Sequence, residues 1–258
     1  MTDVAALPPD PLAREVWVIL GASSAVARAF SRGVAPDADL LLCGRDMDDL
    51  GRMAGDLRVR HDCRAEAVNF NATDYDSHCG LVERAAAFAG RGRLNLFIAF
   101  GDMPEQTEID NDFALARRTV ETNYLGAVSV LSRFAPRLEA QGGGSVVVLG
   151  SVAGDRGRLK NYVYGSAKAG LHAYVQGYRA RMHRAGVHVM TVKPGFLDTA
   201  MTWSLGKLPM AMQPDAFAAT IMKHLKAKRD VVYVPWPWLG IMTIIRTVPE
   251  RVFKRTNI

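Results

Sequence analysis

The chain is punctuated at fairly even intervals by short apolar runs, most of which stop at or just before a glycine or another small residue. Val16–Leu20 stops at Gly21, Leu40–Cys43 at Gly44 and Leu94–Phe100 at Gly101. Ser145–Leu149 stops before Ser151, and Val187–Val192 before Pro194-Gly195. Runs that are apolar at every position, not every second one, belong to strands buried on both faces, as in a parallel sheet. Between them lie segments of helical periodicity: one through Val34, then Asp46–Arg60, Tyr75–Gly90, a long Phe113–Ala140, residues 162–184 and Pro214–Lys228. Ala65–Phe70 and Val231–Val234 bring the strands to about seven. The alternation predicts an α/β fold, with one doubly wound, mainly parallel sheet and helices on both faces. Ligands of such sheets bind beyond the carboxyl ends of the strands. The expected site therefore lies near Gly21, Gly44, Gly101, Ser151 and Gly195.

Composition narrows the class. With 49% hydrophobic and 22% charged residues, the chain is an ordinary globular one, not a disordered or fibrous one. The net charge of +6 is local, because Lys223–Ile258 holds eight basic residues against two acids. Residues 1–222 are neutral overall, which disfavours nucleic acid as a partner. Cys43, Cys63 and Cys79 show no metal-ligand spacing, so no metal is expected and a reducing cytoplasm is the simpler setting. Residues 1–13, with Pro8, Pro9 and Pro11, read as a flexible lead-in without the features of a signal peptide.

Two motifs carry chemistry. The turn Gly21-Ala-Ser-Ser-Ala-Val-Ala27 joins a strand to a helix, so helix N–H groups face an anion such as a pyrophosphate. Gly21, Ser23, Ser24, Ala25 and Val26 are the candidate contacts, although Ala25 and Ala27 stand where such turns usually have glycine. The second motif is Tyr164-Gly-Ser-Ala-Lys168, where the i, i+4 spacing puts both side chains on one helix face. A nearby ammonium favours phenolate, so Lys168 is expected to lower the Tyr164 pKa and fit it for general acid work. Ser151 lies thirteen residues before Tyr164, and Asn123 is a poor helix former inside a predicted helix.

Taken together, these residues resemble the short-chain dehydrogenase/reductase family, over about residues 14–235, as a single Rossmann-type domain. The resemblance implies that Tyr164 is the acid, that Lys168 holds the nicotinamide ribose, that Ser151 binds the substrate oxygen and that Asn123 anchors a water. It implies that Pro194, Gly195 and Thr199 line the nicotinamide. Gly101 carries over as a cofactor contact, but Ile98-Ala-Phe stands in place of the usual Asn-Asn-Ala. Asn69-Phe70 stands in place of an Asp-Val pair that touches adenine. At the end of strand two, Arg45 favours NADP(H), with NAD(H) the alternative. The family also implies a homo-oligomer.

Residues 236–258 read as an apolar and basic extension. Pro235, Pro237 and Gly240 predict that its helix starts only near Leu239 and runs to about Val248. Trp236 and Trp238 followed by Arg246, Arg251, Lys254 and Arg255 suit peripheral contact with a membrane surface, and equally a helix packed on the body or on a second subunit. Ser151–Arg158, Asn161–Gly165, Lys193–Thr199 and Trp238–Arg246 together resemble the family's subgroup that reduces the 2-keto group of a polyprenyl-phosphoryl pentofuranose. That resemblance implies a lipid-linked sugar substrate at the inner face of the plasma membrane. Arg156, Arg158 and Lys160 are then either phosphate contacts or solvated loop charges. The alternatives are a soluble ketone or acyl-thioester reductase, and a catalytically silent NADP(H) sensor or scaffold.

Overall fold

A computed structural model describes residues 10, 12–198 and 210–256. Seven strands form one sheet in the order β3-β2-β1-β4-β5-β6-β7, every neighbour parallel. They are β1 Glu15–Leu20, β2 Ala38–Gly44, β3 Ala65–Asn69, β4 Leu94–Ile98, β5 Ser145–Leu149, β6 His188–Pro194 and β7 Val231–Val234. The expected doubly wound fold is thus the observed one. The strands are apolar throughout because both faces are covered. Val16, Val18 and Leu20 of β1 face one core cluster, and Trp17 and Ile19 face the other.

The helices are α1 Ala25–Val34, α2 Met47–His61, α3 His78–Ala89, α4 Gln106–Asn111, α5 Phe113–Val120, α6 Gly126–Gln141, α7 Tyr162–His183, α8 Pro214–Lys226, α9 Pro237–Thr247 and α10 Glu250–Phe253. After β3 the chain returns to lay β4 beside β1, so the strand order reverses there. That reversal opens a crevice at the carboxyl ends of β1 and β4. Gly21 stands at its edge with φ +81°, and a β-carbon there would lie 2.7 Å from the Phe100 nitrogen.

The structure departs from the sequence reading in three places. The long helix is not uniform: a π-turn at Glu121–Leu125 joins α5 to α6 and contains Asn123. The chain between β4 and that helix holds the unanticipated α4, which packs on the start of α7 through Gln106 Oε1, acceptor of the Val163 N–H at 3.1 Å. Pro237 does not delay the last long helix but begins it. At the first helical position proline's missing N–H would have no partner anyway, and its fixed φ suits the helix.

Candidate active site

Three elements bring the sequence-predicted catalytic residues together. A short 3-10 turn, Val152–Asp155, follows β5 and is capped by Ser151, whose Oγ accepts the Ala153 N–H at 3.1 Å. The Tyr164 hydroxyl, on the first turn of α7, faces the Ser151 side chain, whose hydrogen bonding favours its ionised form. Lys168 lies one turn further along, its Nζ 5.8 Å from the Tyr164 ring centre and donating to the Leu149 carbonyl at 3.2 Å. Asn123 enters from the π-turn. A π-turn leaves a carbonyl out of the regular helix ladder, and the Asn123 amide takes that of Thr119 at 2.9 Å.

The glycine after β4 makes room for this meeting. A β-carbon at Gly101 would lie 2.6 Å from Asn123 Oδ1 and 3.5 Å from Lys168 Nζ. Asn123 Oδ1 is buried and has no hydrogen-bond partner among the described residues, although it borders the same space as an ammonium. The amide nitrogen is fully engaged, donating also to the Asp102 main-chain oxygen at 2.8 Å and to its Oδ1 at 2.9 Å. Asp102 was flagged by no motif. Its one signal was a charged residue directly after a strand-closing glycine at the ligand edge of the sheet.

Electrostatics corrects one expectation. Burial pushes the Tyr164 phenol up to about 12, the bond to Ser151 opposes this and Asp102 adds to it. Burial likewise brings Lys168 down to about 8, against the pull of Asp102. In the cofactor-free protein Tyr164 is therefore firmly protonated, and Lys168 is not what sets its ionisation. The physical reason is that the loss of water outweighs an ammonium more than 5 Å away across the ring.

Behind Ser151 lies a buried ionic cluster. Asp155 pairs with Lys193 Nζ at 2.5 Å, accepts the Tyr233 hydroxyl at 2.7 Å and lies 3.6 Å from His172 Nδ1. The other nitrogen of His172, Nε2, accepts the Ser151 N–H at 3.3 Å. Burial and the Lys193 charge bring His172 down to about 3, so the ring is neutral and free to accept.

The loop arginines are neither phosphate ligands nor solvated charges. Arg156 Nη1 donates to the carbonyls of Ile245 and Val248, both at 2.6 Å, closing the carboxyl end of α9. Its guanidinium also meets Glu250 at 2.9 Å and stacks over Phe253 at 3.8 Å. Arg158 donates to the Val152 carbonyl and meets Met242 Sδ, each at 3.2 Å. Lys160 remains exposed. On the same side, Trp238 of α9 fills the space that a β-carbon at Gly195 would take, its Nε1 1.8 Å from that point.

The candidate cofactor residues line the crevice unevenly. Ser24 caps α1, accepting the Ala27 N–H at 3.2 Å, while Ser23 and Ala25 are exposed. Val26 turns its side chain into the core, so only its backbone faces the turn. Gly44 lies beneath the turn, its missing β-carbon 3.9 Å from Ser23 Oγ. Arg45 is exposed beyond it, and Asp46 is engaged as the cap of α2, accepting the Asp49 N–H at 3.0 Å. Asn69 is exposed, but the Phe70 ring stacks inward on Phe100 and His78. Pro194 and Gly195 are half-buried at the end of β6, and Thr199 lies outside the described residues.

A switch-point crevice bordered by a helix-capping glycine turn on one side and a Ser-Tyr-Lys group on the other defines a nucleotide-linked oxidoreductase. The chain belongs to the short chain dehydrogenase family, whose model matches residues 15–208. It is thereby an NAD(P)-dependent oxidoreductase. It is 34% identical over 239 residues to an uncharacterized oxidoreductase of Mycobacterium tuberculosis, covering 92% of this chain and 95% of that one. A Streptomyces coelicolor oxidoreductase is 32% identical over 240 residues, covering 92% and 94%. Among solved structures, a short-chain dehydrogenase from Sphingobium yanoikuyae in complex with NADPH shares the fold, with a TM-score of 0.78 at 22% identity over 92% of this chain and 96% of that one.

Proposed function

We propose that the protein is an NADPH-dependent carbonyl reductase and that its substrate is a lipid-linked keto-sugar, a polyprenyl-phosphate 2-keto-pentose. The grouping of Tyr164 with Ser151 and Lys168, and of Lys168 with Asn123 about the empty side-chain space of Gly101, carries the reductase reading. The crevice fits a dinucleotide on its own terms. Gly21 leaves no room for a side chain, the first N–H groups of α1 open onto it, and Gly44 lets the turn sit low. Preference for the 2′-phosphate rests on the free, exposed Arg45 and on Asp46, which is occupied with its helix and does not await a ribose hydroxyl. Bound there, the dihydronicotinamide supplies the hydride.

The chain's own residues handle the oxygen. Ser151 holds the substrate carbonyl oxygen against the Tyr164 hydroxyl, and the neutral His172 fixes Ser151 from behind by accepting its N–H. Tyr164 stays protonated until needed and gives its proton to that oxygen as negative charge develops there. The phenolate left behind faces the Lys168 ammonium on the same helix face. The unpartnered oxygen of Asn123 suits a water that passes a proton towards Lys168.

The sugar and its lipid rest on the C-terminal region. Trp236, Leu239, Ile244 and Val252 are exposed there beside Arg246, Arg251, Lys254 and Arg255. Such a surface suits the inner face of a membrane, where anionic lipid contributes about 1 kcal/mol per basic residue. No helix among the described residues is long and apolar enough to cross a membrane.

The test is NADPH oxidation by wild type and Tyr164→Phe with a polyprenyl-phosphoryl 2-keto-pentose and with soluble ketones. Turnover confined to the lipid-linked substrate and lost in the variant is the expected result. Turnover of soluble ketones alone would sink the lipid-sugar assignment. Binding of NADPH without turnover of any carbonyl would favour a sensor. Membrane contact is tested by sedimentation with anionic vesicles, using Trp236→Ser/Ile244→Ser. Truncation is the wrong tool, because it would also remove the buried Trp238 and Met242.

A further inference from the structure

Asp102 is tied to Asn123, whose amide oxygen borders the space at Gly101 that Lys168 Nζ also borders. The Asp102 Oδ1 and main-chain oxygen both receive the Asn123 amide nitrogen. The amide is thereby turned so that its oxygen lies towards Gly101, at the space that Lys168 Nζ borders from the other side. Lys168 needs something of this kind. It is 4% exposed, and among the described residues its ammonium has one hydrogen-bond acceptor, Leu149. A buried ammonium with donors to spare gives up its proton unless a negative charge stands near. The nearby acid Asp155 is already paired with Lys193, whereas the half-buried Asp102 has no basic side chain in ion-pair contact among the described residues. We propose that Asp102 is the counter-charge of the catalytic centre, a positioning residue whose carboxylate both orients Asn123 and keeps Lys168 an ammonium.

The charged groups around this set act consistently. Burial raises the Asp102 carboxyl above its ordinary range, while the Asn123 amide, Arg118 of α5 and Lys168 of α7 favour its charged form. Asp102 raises Lys168 and Tyr164 alike, which keeps protons on both. His172, the remaining titratable group within reach of Lys168, is neutral down to about pH 3. Removing the Asp102 charge therefore lowers the Lys168 midpoint, and it lowers the pH at which Tyr164 loses its proton.

Asp102→Asn keeps the size and an acceptor for Asn123 but not the charge. With lysine labelled by 13C at Cε, the Lys168 signal is assigned by its loss in Lys168→Arg and followed by NMR from pH 6 to 10. The expected result is a midpoint near 8 in the wild type, falling by about one unit in Asp102→Asn and restored in Asp102→Glu. Asp102→Ser is the second charge-free variant should the first not fold. An unchanged or higher midpoint in the charge-free variants overturns the proposal. So does a loss seen only in Asp102→Ala, which would mark a purely steric role. The titration needs neither cofactor nor substrate, while the consequence for turnover rests on the reductase reading: the alkaline limb of NADPH oxidation should move to lower pH in Asp102→Asn. A wild type that turns over no carbonyl would sink that reading and leave the titration to judge this one.

Discussion

Gly195→Ala tests how the C-terminal helix and the Pro194-Gly195 turn are fitted together. The added carbon would lie 1.8 Å from Trp238 Nε1, 2.3 Å from Cε2 and 2.4 Å from Cδ1. Ordinary contact needs about 3.5–4.0 Å, so the ring must retreat by well over an ångström. It has little room, being held edge-on by Phe196 at 5.4 Å and packed with Val152 and Met242. Overpacking of this kind costs roughly 1–3 kcal/mol, and a rigid ring points to the upper half. For 258 residues, at about 2.1 cal/mol/K each, the unfolding entropy is on the order of 0.5 kcal/mol/K. The midpoint of thermal unfolding should then fall by about 4–6 °C. Trp238→Ala should itself cost roughly 3–5 kcal/mol, but in that background Gly195→Ala should cost under about 0.5 kcal/mol. Calorimetry on the four proteins closes the cycle. Equal cost of the glycine change with and without the indole would refute the reasoning.

Three further outcomes follow from the same contacts. Gly101→Ala should displace the Asn123 oxygen and crowd Lys168 Nζ, lowering kcat by about 10²-fold and weakening NADPH binding, as read by initial rates and cofactor titration. His172 carries a folded pKa of about 3 against an ordinary 6.5, so the unfolded state takes up the proton first and stability falls as pH drops below 6.5. Between pH 7 and 5 its share of that loss is on the order of 2 kcal/mol, and denaturant unfolding should find the share missing in His172→Asn. Arg156→Gln should strip two carbonyls of their donor, costing about 1–3 kcal/mol, and should expose the α9–α10 connection to limited proteolysis at pH 7 while residues before β7 stay protected.

Much of this molecule was legible because strand burial and helix periodicity are written locally. The apolar runs ending at Gly21, Gly44 and Gly101 mark the carboxyl edge of the sheet from the sequence alone. The i, i+4 spacing of Tyr164 and Lys168 likewise placed both on one helix face, whatever the rest of the chain did. What local pattern could not supply was the state of those groups. Tyr164 ionisation is set by how much water the whole fold removes, and the sequence motif alone argued for the opposite shift. The π-turn at Asn123 was equally out of reach, since its register break shows only in which carbonyl the amide finds.

The loop from Ser151 to Tyr164 shows why charge pattern alone misleads. Two arginines in the loop after Ser151 look like anion ligands, because sequence reports the charge but not the acceptors already within reach. Those acceptors come from about 90 residues away: Arg156 meets carbonyls at positions 245 and 248, and Arg158 meets Met242. A helix ends with carbonyls that need donors, so the carboxyl end of α9 competes for any guanidinium it packs against. Once it wins, Arg156 and Arg158 are engaged on that side of the site and only Lys160 remains exposed in the loop. On the proposed lipid-phosphate substrate, the phosphate would have to find its cations elsewhere, and the exposed Arg246, Arg251, Lys254 and Arg255 lie on the same helical segment that Arg156 ties down. Neutralising those four should therefore weaken the KM for a phosphate-bearing substrate without changing kcat for a soluble ketone, whereas an equal loss on both substrates would return phosphate recognition to the catalytic loop.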